Sequence, residues 1–275
     1  MPAPDQIKAG IDAFVEKSSN RLGEANRKIW ENPELAYEEH IAHDTLCAVL
    51  EENGFEVTRH AHGLDTSFEA SFGSGGRLMV FCAEYDALPD IGHACGHNLI
   101  GIASLTASLA LATVLKATGQ PGRVKILGTP AEEHGGGKLD LLKAGAFEGA
   151  DAALMSETTY SDILLNDTLC GLYQGHMASY SQNVLKTDPD YIQASSDFGD
   201  VSYALPAIHA MFCIPVKEKG VVTHHRSFTE AAGSDVAFQI CLTVGKCLAL
   251  CAWDMLADDS KYDAAVADWK IARSE

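Results

Sequence analysis

Five side chains from three separate stretches are of types that bind metal ions or move protons: Cys95, His97, Glu132, Glu133 and His224. In the first stretch Cys95 and His97 flank a glycine, and a thiolate and an imidazole are both good zinc ligands. Glycine also lets the backbone fold tightly around an ion. The pair has a second interpretation, a buried thiol beside a loop histidine, because free cysteine often serves as a small apolar residue.

The second stretch is an adjacent acid pair, Glu132 and Glu133, between Pro130 and a run of three glycines. Neighbouring side chains of a strand point to opposite faces, so both acids can serve one site only where the strand has ended. In metal-assisted hydrolysis one carboxylate binds the ion while the other takes a proton from water. Two exposed loop acids are the commoner case for an isolated pair. The glycines before Lys138 lack the spacing of a phosphate-binding loop and indicate a turn.

The third stretch contains His224 and His225, just before a long apolar segment. A histidine pair in a loop can be incidental. With the thiol, the imidazole and the acid pair, however, it completes a set of sulfur, nitrogen and oxygen donors from distant parts of the chain.

Apolar runs precede the first two stretches and predict the strands that position them. Leu78–Cys82 leads into the Cys-His segment, and Val124–Leu127 leads into the acid pair. Strands alternating with helices predict an α/β fold, a mixed, mostly parallel sheet flanked by helices. Such enzymes place their chemistry at the carboxyl ends of the strands. The length of 275 residues allows one large or two modest domains. Helices are predicted near residues 5–30, 38–53, 99–117, 138–144, 228–256 and 262–272, and strands near 55–59, 68–72, 78–83, 124–127, 152–155 and 207–216.

Composition restricts the partners. The chain has 47% hydrophobic and 21% charged residues, which is typical of a globular protein. Its net charge of −18 would repel nucleic acid and anionic membrane surfaces, so neither is an expected partner. Eight cysteines without a C-x-x-C pair indicate reduced thiols and a cytoplasmic location. We expect no secretory leader and no stretch apolar enough to cross a bilayer.

Four motifs occur in order along the chain. They read H-A-C-G-H-N at 93–98, G-T-P-A-E-E-H-G-G-G-K at 128–138, S-S-D-F-G-D-V-S-Y at 195–203, and H-x-x-x-F-T-E-A-A-G at 224–233. In this order they resemble the zinc-dependent amidohydrolase and dipeptidase family of the aminoacylase and carboxypeptidase-G type, metallopeptidase family 20. The nearest branch contains aminobenzoyl-glutamate hydrolases, indole-acetyl amino acid hydrolases and Xaa-Arg dipeptidases.

The resemblance implies roles for particular residues. One or two zinc ions, with cobalt or manganese as alternatives, would be bound by residues of the three stretches. Glu132 would be the general base that later protonates the leaving amine, and Asp86 would orient a ligand. The implied metal ligands are Cys95, His97, Glu133 and His224, the last chosen over His225 by its register with the F-T-E motif.

Two departures from the family pattern matter. The family commonly has a further histidine ligand where this chain has Glu157, and a carboxylate there could change the metal affinity or choice. The family also inserts a lid and dimerisation domain where only residues 167–193 stand here. The run 173–178 resembles the start of that lid, where the family has a histidine that polarises the scissile carbonyl. We therefore expect a single catalytic domain over residues 1–275, with the lid and the family-type dimer contact absent and site closure impaired.

The sequence favours a metal-dependent hydrolase of amide bonds in dipeptides or N-acyl amino acids, acting on a small substrate. The alternative is a catalytically impaired, lid-less metal-binding remnant or scaffold that acts through a partner. A thiol-redox protein using Cys95 is a weaker third hypothesis, because no second cysteine lies near it in sequence.

Overall fold

A six-stranded sheet forms the centre of the fold in the computed structural model, which describes residues 2–157, 163–186 and 196–274, with only the backbone of Glu157. The strand order is β1-β2-β4-β3-β5-β6. The four strands β4, β3, β5 and β6 run parallel, whereas β2 pairs antiparallel with both β1 and β4. The strands are β1 (Glu56–Arg59), β2 (Phe68–Ser74), β3 (Leu78–Ala83), β4 (Gly122–Gly128), β5 (Ala152–Glu157) and β6 (Ala207–Met211). The predicted mixed, mostly parallel α/β sheet is confirmed.

Helices cover the sheet. The central strand β3 is buried at every position, as its continuous apolar run predicts for a strand covered on both faces. The helices are α1 (Pro4–Glu31), α2 (His40–Glu52), α3 (His97–Thr118), α4 (Gly137–Lys143), α5 (Asp167–Ala178), α6 (Phe198–Ala204), α7 (Arg226–Ala232), α8 (Asp235–Ala257) and α9 (Asp259–Ala272).

Two helices contradict the expectation about membrane-spanning stretches. By length and composition both α3 and α8 are apolar enough to cross a bilayer. Most of each helix is buried inside the fold, where α3 packs against the sheet and against α8. The apolar composition is therefore accounted for by the core. Their backbones approach closely, because a Cβ on Gly245 of α8 would lie 2.7 Å from the Ala103 carbonyl oxygen of α3.

The helix predicted over residues 228–256 is two helices, α7 and α8. Ser234 begins the second, since its side chain accepts a hydrogen bond from the Ala237 amide. Gly233 ends the first, where a Cβ would lie 2.3 Å from Cε2 of Trp30. The break between α7 and α8 lets the backbone at Gly233 pack closely against Trp30 of α1. The spacing of apolar residues along the sequence does not reveal this contact.

Helix α5 was not predicted, and it occupies the first half of the proposed lid remnant. Asn166 caps it by accepting from the Leu169 amide at 3.0 Å, while donating to the Ala265 carbonyl of α9 at 2.8 Å. Leu169, Tyr173 and Met177 form its buried face. This part of residues 167–193 is docked on α8 and α9, and residues 187–193 lie outside the described ranges.

Candidate active site

The candidate site lies at the carboxyl ends of β3 and β4, which are parallel neighbours. Glu84 and Asp86 follow β3 directly, and the acid pair follows β4 after Pro130 and Ala131. Helix α3 returns the chain to the same edge, because a Cβ on Gly101 would lie 2.7 Å from the Glu84 carbonyl oxygen. The sheet edge therefore receives polar groups from two adjacent strands and from the first turn of α3.

A close group of three possible metal donors forms at this edge. Cys95, His97 and Glu133 each offer one ligand atom within 4.8 Å of the others. Nε2 of His97 lies 3.8 Å from Oε1 of Glu133, and both atoms are buried without a hydrogen-bond partner. Ligands at about 2.0–2.3 Å from zinc lie roughly 3.3–3.8 Å from one another in a tetrahedral site. The spacing, the donor types and the two unsatisfied atoms fit a divalent ion.

Asp86 connects the histidine to the acid pair. Its Oδ1 lies 2.9 Å from Nδ1 of His97, and its Oδ2 accepts the Glu133 amide at 3.0 Å. Burial alone would lower the pKa of His97, but the facing Asp86 carboxylate raises it well above its ordinary value. The contact fixes the ring and leaves its other nitrogen directed toward Glu133, which is how carboxylates orient metal-ligating histidines.

Glu132 lies beside the donor group. Its Oε2 is 3.8 Å from Nε2 of His97, and the side chain is 7% exposed. Burial, followed by the negative charge of Glu84, raises the pKa of Glu132 to about 8. A carboxyl group with a pKa near neutrality can both accept and return a proton.

His224 reaches the group from the loop before α7. Its Nε2 is 3.4 Å from Oε2 of Glu133, and its amide donates to the Ala94 carbonyl at 2.8 Å. The hydrogen bond with Glu133 raises the pKa of His224. His225 is used differently, because its Nδ1 accepts the Ser227 amide at 3.2 Å and caps α7. His224 lies outside the close group of three and is half exposed.

The candidate ligand Glu157 stays a prediction, and the run that resembles the start of a lid forms part of α5. Glu157 ends β5, on the same sheet edge, but its side chain lies outside the described part of the chain. His176, in the run that resembles the start of a lid, lies on α5 with its Nε2 2.9 Å from Oδ2 of Asp254 on α8.

A buried ion cluster that the residue types did not indicate lies next to Glu132. The ammonium group of Lys138 contacts both Glu84 and Asp197, and its amide donates to Asp197 at 2.8 Å. Glu84, Glu132 and Asp197 place oxygens within 4.8 Å of one another around it. Lys138 and Asp197 belong to the second and third motifs, but nothing in their residue types indicated burial. The cluster joins these motifs to the end of β3.

Part of the chain is similar in sequence to known peptidases and amide hydrolases. Residues 80–165 match the profile described as Peptidase family M20/M25/M40. An Xaa-Arg dipeptidase of Mus musculus is 41% identical over 187 residues, covering 60% of this chain and 43% of the relative. One of the subunits of p-aminobenzoyl-glutamate hydrolase from Escherichia coli is 36% identical over 166 residues, covering 54% of this chain and 34% of the relative. The chain thus spans less than half the length of these curated relatives.

Structural comparison gives the same fold. The crystal structure of the Bacillus subtilis YXEP protein, described as a dinuclear metal binding peptidase from the M20 family, superposes with a TM-score of 0.69. At 15% identity it covers 87% of this chain and 99% of the other. The shared fold, the profile match over residues 80–165 and the relatives confirm the resemblance to peptidase family M20/M25/M40 that the motifs indicated.

Proposed function

We propose that this chain is a metal-dependent hydrolase of amide bonds in dipeptides or N-acyl amino acids. The observation that carries the proposal is the pair of buried, unsatisfied atoms, Nε2 of His97 and Oε1 of Glu133, beside the Cys95 thiol. A carboxyl group with a raised pKa, Glu132, lies next to them. Donors and a proton acceptor in one water-poor site are the components that metal-assisted hydrolysis requires.

Cys95, His97 and Glu133 would hold a divalent ion, with His224 as a further ligand and Glu157 as the candidate for a second position. Zinc suits this sulfur, nitrogen and oxygen set, and cobalt or manganese are alternatives. When bound, the ion supplies Lewis acidity that polarises a carbonyl and acidifies water. Asp86 keeps the His97 ring in the orientation and tautomer that such binding needs.

Glu132 is the proposed general base. It takes the proton of the attacking water and then delivers it to the leaving amine, so it must alternate between its two protonation states. Burial and the neighbouring Glu84 raise its pKa to about 8, which brings both states within reach near neutral pH. The Lys138 ammonium partly offsets the repulsion among Glu84, Glu132 and Asp197.

The substrate class is supported by the relatives. The named activities of the two curated relatives are hydrolysis of Xaa-Arg dipeptides and of p-aminobenzoyl-glutamate. Both names describe small molecules with one amide bond to an amino acid. We propose the same chemical class for this chain and no particular member of it.

The test combines metal analysis with an amide-hydrolysis panel. We expect purified protein loaded with zinc, cobalt or manganese to hydrolyse dipeptides or N-acyl amino acids, and Glu132→Gln to lower kcat by about 10²–10⁴-fold. Metal content should not change in that variant, because Glu132 is not a proposed ligand. The exposed Glu148→Gln is the matched control and should keep full activity. Full activity in Glu132→Gln would refute the proposed base.

The segment between β5 and α6 favours a second candidate function. There α5 is packed on α8 and α9, and its His176 is paired with Asp254. A lid shortened to this segment would leave a metal-binding scaffold that acts through a partner. A filled metal site with no turnover across the whole panel would support this candidate over the hydrolase.

A further inference from the structure

The turn that carries the acid pair begins with a residue in an unfavourable backbone conformation. Ala131 has φ 61°, in the left-handed region that residues other than glycine rarely adopt. It immediately precedes Glu132, so its conformation sets the direction in which both glutamates leave the strand. Its carbonyl accepts the amides of Gly135 and Gly136, each at 2.9 Å, which closes the turn.

A buried carboxylate holds the other side of Ala131. The Ala131 amide donates to Oε1 of Glu39 at 2.9 Å. Oε2 of the same group accepts the Thr66 hydroxyl at 2.6 Å, so both oxygens are engaged. Glu39 comes from the connection between α1 and α2, far from the acid pair in sequence. It links the turn after β4 to the loop before β2.

The position of Glu39 is costly for the fold. The side chain is fully buried, and burial raises its pKa. Within residues 2–157, 163–186 and 196–274, no basic side chain forms an ion pair with it. It precedes α2 at the N-cap position, yet its carboxylate makes no capping hydrogen bond to that helix. A buried acid that neither caps its helix nor pairs with a cation needs another reason to be there.

We propose that Glu39 is a positioning residue for the acid pair, acting through the Ala131 amide. The proposal rests on the proposed function. Holding that amide keeps Ala131 in its left-handed conformation, which directs Glu133 into the donor group and Glu132 beside it. Asp86 restrains the same turn from the other side by accepting the Glu133 amide. Glu39 touches neither the donor atoms nor any reacting group, so its effect passes through the backbone.

Three variants separate positioning from general stability. Glu39→Leu removes the acceptor for Ala131, whereas Glu39→Gln keeps a side-chain oxygen of the same reach. Thr66→Val removes the hydrogen bond that the Thr66 hydroxyl donates to Glu39 and leaves the Ala131 contact in place. The primary readout is zinc affinity by competition with a chromophoric chelator, which needs no catalysis. Free energies of unfolding of the metal-free proteins are measured alongside.

We expect Glu39→Leu to weaken zinc binding by about 10-fold or more, the range found when groups supporting metal ligands are removed. Glu39→Gln and Thr66→Val should stay within about 2-fold of the unmodified protein, although Thr66→Val lowers stability. Equal zinc affinity in a folded Glu39→Leu would overturn the proposal, as would an equal loss in Thr66→Val. If Glu39→Leu does not fold, Glu39→Asp, which is one methylene shorter, replaces it with the same expectation.

Activity distinguishes the two proposals. If the unmodified protein hydrolyses no amide but Glu39→Leu still loses zinc affinity, the hydrolase proposal fails and the positioning role stands. If the protein is active and Glu39→Leu keeps both zinc affinity and kcat, the positioning role fails alone. In an active enzyme we expect kcat to fall in Glu39→Leu while KM changes less than about 2-fold, because the reacting groups and not the substrate contacts are displaced.

Discussion

His97 and Glu133 each direct a buried atom toward the other without a hydrogen bond to satisfy it. Leaving such a group unsatisfied costs about 1–3 kcal/mol. A divalent ion between them would remove both penalties, which is the physical reason to place one there. Asp86 already engages Nδ1 of His97, so Nε2 is the ring nitrogen that an ion would bind.

The buried histidine of β6, His209, gives a test of burial at single-residue scale. Both ring nitrogens of His209, on β6, are shielded from solvent, and burial lowers its pKa to about 3. Because the unfolded chain takes up this proton near pH 6.5 and the folded one does not, stability is lost as the pH falls below that value. The expected loss from this residue is about 2 kcal/mol between pH 7 and pH 5.

Urea unfolding at the two pH values measures that loss. His209→Phe keeps a ring that can stack on Phe198, which lies 5.2 Å away by ring centroids. The variant should therefore lose about 2 kcal/mol less between pH 7 and pH 5 than the unmodified protein. An identical pH dependence in the two proteins would contradict the lowered pKa.

Residue types indicated the candidate donors but not their supports. The sulfur, imidazole and carboxylate groups were candidates because they are zinc-ligand types from distant segments, and the family resemblance supplied their roles. Lys138 and Glu39 gave no such signal, since a lysine after glycines and a glutamate before a helix are ordinary surface choices. Their burial depends on contacts with Asp197, Glu84 and Ala131 from distant segments.

At the scale of elements, the approach of α3 to β3 keeps the site together. Gly101 allows it, because any side chain there would press on the Glu84 backbone. We expect Gly101→Ala to destabilise the fold by about 1–3 kcal/mol, the usual result of overpacking. The measurement is the free energy of unfolding in urea.

Gly175 on α5 is the matched control, since it is also helical and a Cβ there meets nothing within 4 Å. Alanine at that position should stabilise the protein by about 0.5–1 kcal/mol, because alanine loses less backbone entropy in a helix. The same sign of change in both variants would contradict the close contact at Gly101.

Element prediction succeeded where one pattern dominated. Strand β3 was predicted over its full length because six consecutive apolar residues are typical of a strand that is buried on both faces. The prediction of one helix over residues 228–256 was wrong because the chain breaks at Gly233, where it packs against Trp30 of α1. Helix α5 was not predicted because most of its residues are polar or small. Its apolar pattern is limited to three buried residues, Leu169, Tyr173 and Met177. The lid remnant and the single-domain boundary remain predictions.

For the whole molecule, metal binding should be coupled to folding. The donors come from the loop after β3, the turn after β4 and the loop before α7, so unfolding separates them. Free zinc at 100 times its dissociation constant should raise the free energy of unfolding by about 2.7 kcal/mol. The unfolding transition is measured with zinc and with a chelator. His97→Ala should show little zinc dependence, and a full shift in that variant would indicate binding elsewhere.

Cobalt binding tests the central claim most directly, because a cobalt–thiolate bond gives a charge-transfer band in the near ultraviolet. We expect the band to appear as Co²⁺ is added to the unmodified protein, and to be lost in Cys95→Ser. Cys213 is an exposed thiol, so Cys213→Ser is the control and should keep the band. A band that persists in Cys95→Ser, or that never forms in the unmodified protein, would contradict a metal site built on Cys95, His97 and Glu133.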